Sequence, residues 1–335
     1  MNKKSAILLL FSFLYAGAAV FAQTSQDPTD RSTACYPVQE NMKRTVEYLS
    51  SKALQGRGKG TLGHSEAALF IAGKFRDASL MRICGGYGQS FTYGQDMSCG
   101  HNIIGMLPGR SGSAGGKYTI IGTHYDHLGT IDGIVYPGAD ANASGVEAML
   151  ELVRMFKARR DEGMNYGGNV IFVAFDANLE EYQGSAAFWN ALSSGHFTDP
   201  VTGRSITPDK ISLMVDLDQL GSSRAPVHKK RKDYMIVLGE DRLPKAKQGI
   251  LGKCNTFYGC NLELCYSYYN SEAFTKMFYR LGDRRHFIDN GIPTMMFSSG
   301  ITDLNNKHRD NYRMLDYDVF RNRIILIFRY LEKII

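Results

Sequence analysis

Long apolar runs separated by polar turns dominate the hydrophobic pattern of the chain. Such runs are typical of strands buried on both faces of a sheet, because a strand with one solvent face would alternate apolar and polar residues. Two shorter segments, 90–93 and 101–107, are further strand candidates. The predicted interior strands are 117–124 (KYTIIGTH), 169–177 (NVIFVAFDA), 211–221 (ISLMVDLDQLG), 234–239 (YMIVLG) and 291–299 (GIPTMMFSS).

Segments with helical spacing of apolar residues lie between these strands. In the segment 66–75, Ala67, Phe70 and Ile71 line one face, and Ser65 is placed to cap the helix. The alternation predicts an α/β fold, a three-layer sandwich with a mostly parallel or mixed central sheet flanked by helices. The other predicted helices span 41–51, 146–156, 183–192 and 318–334.

The first 22 residues differ in their pattern from the rest of the chain. Lys3 and Lys4 precede an apolar run that ends at Ala22, which is typical of a secretory signal peptide. An N-terminal membrane anchor is the alternative. No later stretch reaches the ~18 apolar residues of a membrane span. We therefore expect a periplasmic or secreted protein with a single domain over 23–335, in which the irregular segment 222–285 is a lid or insertion.

Charge and cysteine content narrow the function only slightly. The formal net charge is +6, and the one dense basic run, 229–232, is better explained as a solvated loop than as a nucleic-acid patch. Six cysteines in an exported chain permit disulfides, although 15 pairings are open. Cys84 and Cys99 form the favoured local pair. We expect no nucleic-acid partner.

Polar residues gather where the apolar strands end. His124 and Asp126 follow one strand, Asp218 ends another, and Asp140 lies in a small-residue turn that opens a helix. One histidine and two carboxylates are a reasonable ligand set for zinc, with Asp126 able to orient His124. The alternative is that each aspartate only caps a helix or turn. Asp176 is a further carboxylate at a strand end.

Several motifs together resemble a known family, the secreted zinc aminopeptidases of metallopeptidase family 28, which also contains the glutaminyl cyclases. This resemblance implies a zinc-exopeptidase-like fold and two zincs bridged by an aspartate. It implies that His124, the bridging Asp140 and Asp218 hold the first zinc. The motifs are GTHYDHLG at 122–129, GADANASG at 138–145, FDANLEEYQGS at 175–185, VDLDQLG at 215–221 and GDRRHFIDNGIPTMMF at 282–297.

The second half of the implied site departs from the family pattern. Asn178 and Leu179 stand where the family has its general base and a glutamate ligand, and Asn306 stands near the position of the final histidine. Glu180 and Glu181, and likewise His308, lie two residues further on. On an extended chain that slip displaces a side chain by about 6.6 Å, so only a rerouted loop would bring these groups into the site.

Two functions follow from this resemblance. One is an exported, zinc-dependent aminopeptidase that removes N-terminal residues from peptides, with Glu180 or Glu181 as base, His308 as a further ligand and one or two zinc ions. The other is a binding module of the same fold, inactive or with a single metal, that recognises a peptide or another ligand without turnover. A glutaminyl cyclase fits poorly, because the glutamate and late histidine of the cyclases are absent.

Overall fold

An eight-stranded mixed sheet forms the centre of the protein. The computed structural model describes residues 35–109, 116–225 and 231–335, and within it Tyr36–Ile335 forms one compact unit. The strands are β1 (Gly88–Tyr93), β2 (Ser98–Leu107), β3 (Tyr118–His124), β6 (Asn169–Phe175), β7 (Ile211–Asp218), β8 (Tyr234–Leu238), β9 (Glu263–Cys265) and β10 (Thr294–Ser298), with β4 (Thr130–Ile131) and β5 (Ile134–Val135) in a separate hairpin. Their order in the sheet is β1-β2-β6-β3-β7-β10-β8-β9.

Helices cover both faces of this sheet. They are α1 (Gln39–Leu49), α2 (Leu62–Asp77), α3 (Gly145–Asp161), α4 (Gln183–Ser193), α5 (Ile250–Phe257), α6 (Glu272–Tyr279), α7 (Arg285–Asp289) and α8 (Tyr317–Ile334). Phe188 of α4 and Phe287 of α7 pack on one face. On the other face, Phe156 of α3 lies against Phe172 of β6 and Phe328 of α8. The predicted three-layer α/β sandwich with a mixed sheet is therefore confirmed.

The central strands β6, β3, β7 and β10 run parallel to one another. Their register places His124 beside Phe175 and Asp218 beside Ser298. The residues that follow these strands consequently meet at one edge of the sheet. Parallel strands commonly present a ligand site at this edge, because their carboxyl ends open into the same crevice.

The segment 222–285 contributes to the sheet. Its strand β8 pairs antiparallel with β10, and β9 pairs parallel with β8 at the sheet edge. The segment also contains α5 and α6. Tyr234, Ile236 and Leu238 of β8 are buried, as expected for an inner strand.

Two local predictions were wrong. Helix α2 begins at Leu62, and the hydroxyl of Thr61, not that of Ser65, accepts its capping hydrogen bond from the backbone N–H of His64. Cys84 and Cys99 are free thiols. Cys99 pairs with Thr92 near the turn of the β1–β2 hairpin, whereas Cys84 precedes β1 at the opposite end, so the hairpin length separates the two sulfurs.

Some predictions fall outside the described residues. The signal peptide at 1–22 does so, as does most of the turn before β3, and so do Lys229 and Lys230 of the basic run. Across the ranges that are described, no helix combines the length and apolar character needed to cross a membrane.

Candidate functional site

His124 and Asp218 end the adjacent strands β3 and β7 and face each other. The Nε2 atom of His124 lies 3.9 Å from Oδ1 of Asp218. On its other side, Nδ1 of His124 donates to the backbone carbonyl of Asp126 at 3.1 Å and lies 3.5 Å from the Asp126 carboxylate. Asp126 therefore orients the ring so that Nε2 points toward Asp218, as the sequence predicted for a ligand histidine.

The pKa values of His124 and Asp126 follow from their burial and from the charged groups around them. Burial disfavours the charged imidazole of His124, but Asp126, Asp218 and Asp283 outweigh it and raise its pKa to about 9. For Asp126, burial acts to raise the pKa, yet His124 and the backbone N–H groups of Asn178 and Leu179 bring it below its ordinary value. The buried pair is thus polarised toward imidazolium and carboxylate.

The carboxylate of Asp140 is engaged by hydrogen-bond donors of the protein itself. Its Oδ1 accepts from the backbone N–H of Gly221 at 2.8 Å, from that of Ser222 at 3.1 Å and from the hydroxyl of Ser144 at 3.2 Å. Its Oδ2 accepts from the hydroxyl of Ser299 at 3.3 Å. These are the contacts of a structural carboxylate, and the role of Asp140 as a bridging metal ligand stays a prediction.

A second buried carboxylate, Asp310, holds the turn that carries Asp140. It accepts from the backbone N–H of Asp140 at 2.9 and 3.1 Å and from that of Ala141 at 3.0 Å. Burial and the nearby charge of Asp310 raise the pKa of Asp140 to about 7. Arg57 adds a positive charge near Asp310.

Arg57 links the two loops that carry His124 and Asp140. Its buried guanidinium donates to the carbonyls of Tyr125, Pro137 and Gly138 at 2.8 Å and to that of Leu49 at 2.5 Å. Burial lowers its pKa to about 10, with Asp310 and Asp126 opposing the shift. The group therefore remains charged at neutral pH and bonds four backbone carbonyls.

Asn178, at the position where the family resemblance implies the general base, is committed to another side chain. Its Nδ2 donates to Oδ2 of Asp283 at 2.8 Å. Asp283 is 1% exposed, and its Oδ1 has no hydrogen-bond partner. Burial raises the pKa of Asp283 to about 7. Leu179, at the position of the implied glutamate ligand, is 45% exposed.

Arg284 and Asp216 form a buried ion pair near Asp283. Arg284 bonds Asp216 through Nη1, and its Nε and Nη2 donate to the carbonyls of Tyr279 and Phe278 at 2.8 and 2.6 Å. Both side chains of the pair are almost fully buried. Arg284 thus supplies a fixed positive charge among several aspartates.

The three groups proposed as substitutes have other neighbours or face solvent. Glu180 has its Oε1 3.9 Å from Nζ of Lys59 and is 45% exposed, and Glu181 is also exposed. His308 is exposed and meets the ring of Tyr136 edge-on at 6.4 Å. Their catalytic and metal-binding roles stay predictions.

The fit of these residues to a metal can be judged from their donors. Nε2 of His124 and an oxygen of Asp218 could contact the same cation, but catalytic zinc takes three protein ligands. No group of three or more His, Cys, Asp or Glu side chains within 35–109, 116–225 and 231–335 is arranged to hold a metal ion. As arranged, the donors do not fit the two-zinc centre that the family resemblance implies.

Four residues of the site were not predicted from the sequence: Arg57, Asp283, Arg284 and Asp310. Arg57 lies between the predicted helices 41–51 and 66–75, where no site residue was predicted, and Asp283 and Arg284 lie in the segment 282–297 that was recognised only by resemblance. The available signal was a charged residue inside a glycine-rich turn. Glycines permit close approach of backbone, and here the Arg57 guanidinium binds that backbone.

Comparison with known proteins places this geometry in a family context. The profile described as "Peptidase family M28" matches residues 102–331. The BOS complex subunit ncln of Danio rerio is 32% identical over 124 residues, which are 36% of this chain and 20% of that protein. The BOS complex subunit NCLN of Gallus gallus is 30% identical over 138 residues, 40% of this chain and 23% of that protein. The chain thus spans about a quarter or less of these relatives.

Solved structures of similar fold include aminopeptidases and a cyclase. BSAP, a zinc aminopeptidase from Bacillus subtilis, is 13% identical, with a TM-score of 0.64 over 88% of this chain and 94% of that one. The LapA aminopeptidase of Legionella pneumophila is 16% identical, with a TM-score of 0.64 over 88% and 72%. Porphyromonas gingivalis glutaminyl cyclase is 19% identical, with a TM-score of 0.63 over 90% and 99%. The family profile covers more than half of the sequence, and the chain belongs to peptidase family M28.

Proposed function

We propose that this protein is a binding member of peptidase family M28, which recognises a peptide end or a comparable ligand at the carboxyl edge of its sheet without hydrolysing it. One observation carries the proposal: Asn178, which stands where the family resemblance implies the general base, donates through its side-chain amide to Asp283. An amide cannot take a proton from water at neutral pH. A positioned base contributes typically 10²–10⁴-fold, so its absence is a large loss of rate.

Other features support the same proposal. Leu179 and Asn306 offer no metal ligand where the family resemblance implies a glutamate and a histidine. The two relatives from Danio rerio and Gallus gallus are named as subunits of a complex, and this agrees with a binding role. Zinc, if bound, would contact His124 and Asp218, and we propose at most one ion per chain.

A slow metallo-aminopeptidase is the second candidate, and one feature favours it. Glu180 lines a cavity of about 220 Å³ together with Asp126 and Leu179, beside the group around His124. A shift of the loop after β6 would bring this carboxylate toward Asp218. In this candidate Glu180 would be the base and peptides with a free amino terminus would be the substrates.

Export is part of the proposal. The charged and apolar pattern of residues 1–22 supports cleavage after Ala22 and a periplasmic or secreted location. The mass of the protein purified from its native host tests this directly. An intact N-terminus recovered from the cytoplasmic fraction would contradict it.

The function is tested on the purified mature protein, with and without added zinc. Chromogenic aminoacyl anilides report turnover, elemental analysis reports zinc per chain, and calorimetric titration with short peptides of free or acetylated amino terminus reports binding. We expect no turnover, at most one zinc, and binding of at least one peptide class. Turnover that requires zinc and is lost in Glu180→Gln, but kept in Glu181→Gln, would refute the binding proposal in favour of the second candidate.

A further inference from the structure

Both oxygens of the Asp140 carboxylate accept hydrogen bonds from the protein. Three donors reach Oδ1, the backbone N–H groups of Gly221 and Ser222 and the hydroxyl of Ser144, and Ser299 reaches Oδ2. The side chain is 3% exposed. A carboxylate in this position satisfies donors that would otherwise be buried without a partner.

These donors come from separate elements of the fold. Gly221 and Ser222 follow β7, Ser299 follows β10, and Ser144 directly precedes α3. One carboxylate therefore ties together the ends of the parallel strands β7 and β10 and the start of helix α3. In a two-metal peptidase the metal ions would link these elements, because they bind ligands from several strand ends.

The backbone of Asp140 is held as firmly as its side chain. Asp310 accepts from the N–H groups of Asp140 and Ala141, and Arg57 donates to the carbonyls of Pro137 and Gly138 in the same turn. Asp310 and Arg57 thus hold the turn that carries the Asp140 carboxylate.

The protein also supplies its own cation to this region. The guanidinium of Arg284 bonds Asp216 and two backbone carbonyls, and the pair is buried. Repulsion between Asp216 and Asp218 is thereby reduced without a divalent ion, because an adjacent positive charge stabilises the ionised carboxylate.

We infer that Asp140 is a structural anchor, not a metal ligand, and that the strand ends of this site hold together without a divalent cation. The inference rests on the proposed non-hydrolytic function. Its test measures stability, whereas the test of that function measures turnover and ligand binding, so the two fail separately.

The test is thermal unfolding of the mature protein in EDTA and in added zinc, with Asp140→Ala and Asp218→Ala as a matched pair. Loss of Asp140 leaves buried N–H groups without acceptors, so we expect Asp140→Ala to lower the melting temperature by on the order of 10 °C, equally in EDTA and in zinc. The side chain of Asp218 is partly exposed and lies 3.9 Å from His124, a long contact, so Asp218→Ala should lie within a few degrees of wild type. The wild type should melt at the same temperature in both conditions.

Two results would overturn the inference. One is that EDTA lowers the melting temperature of the wild type by as much as the Asp140→Ala substitution does. The other is equal destabilisation of Asp140→Ala and Asp218→Ala, seen only in zinc. If Asp140→Ala does not fold, Asp140→Asn replaces it, since it keeps one acceptor oxygen: a loss that is independent of metal supports the anchor, and a loss that needs zinc refutes it.

Discussion

Replacing Arg57 by methionine should destabilise the protein strongly, because its side chain bonds the backbone of several loops. The guanidinium is fully buried and donates to four backbone carbonyls, of Leu49, Tyr125, Pro137 and Gly138. Methionine fills a similar volume but leaves all four acceptors in the interior without this donor. The variant therefore isolates the hydrogen bonds from the packing.

The magnitude follows from the number and kind of bonds. Hydrogen bonds to charged groups contribute about 1.5–3 kcal/mol each, so four set a ceiling of about 6–12 kcal/mol. Removing the guanidinium also removes its burial cost, and breaking buried charged networks typically costs about 3–5 kcal/mol. We therefore expect Arg57→Met to lose about 4 kcal/mol, a fall in melting temperature of about 6 °C.

Scanning calorimetry measures this loss, and hydrogen exchange at Asp140 and Ala141 localises it to the turn that Arg57 holds. Arg224→Met is the control, because the Arg224–Asp303 pair is exposed to solvent and should contribute little to stability. If Arg57→Met does not fold, Arg57→Lys keeps the charge with fewer donors. A melting temperature of Arg57→Met or Arg57→Lys equal to that of Arg224→Met would refute the reasoning.

Two further predictions concern a buried carboxyl group and a crowded glycine. Burial and the nearby Glu151 raise the pKa of Glu147 well above its ordinary value, so the stability of the protein falls as pH rises from the unfolded pKa toward the folded one. Glu147→Gln should therefore melt at a higher temperature than wild type at pH 8 and at the same temperature at pH 4. A difference in melting temperature that is equal at the two pH values would contradict this. Gly56 has φ +62°, and a Cβ added there would collide with the carbonyl of Gly129, so Gly56→Ala should destabilise the protein by several kcal/mol in denaturant titrations. The control Gly252→Ala, at an open helical position, should stabilise it by about 0.5–1 kcal/mol. An unchanged stability of Gly56→Ala would contradict the prediction.

Much of the fold was predictable because burial on both faces leaves a simple record in sequence. The runs at 118–124, 169–175 and 211–218 are rich in apolar residues and buried along almost their whole length, and they are three adjacent parallel strands at the centre of the sheet. The segment 222–285 was harder. Its strands β8 and β9 are short and lie between loops rich in tyrosine and charged residues, so the apolar pattern that reveals a strand is brief.

The candidate site was predictable where a residue ends a strand. His124 and Asp218 follow apolar runs, and adjacent parallel strands bring them to within 3.9 Å at the Nε2–Oδ1 pair. Asp140 lies in a turn, and the direction of its carboxylate depends on donors at Gly221 and Ser222, some 80 residues further along the chain. No local pattern records such a contact.

The sequence alone determined the α/β sandwich and the edge at which polar residues gather, since each of these is a property of residue type and spacing. The family resemblance added the prediction that Asn178 and Leu179 stand in place of the expected glutamates. Tertiary structure decided the use of each polar group. Asn178 bonds Asp283, Asp140 binds the strand-end amides, and Arg57 joins two loops. The physical reason is that a buried polar side chain must find a partner, and the chain path, not the neighbouring sequence, brings that partner within reach.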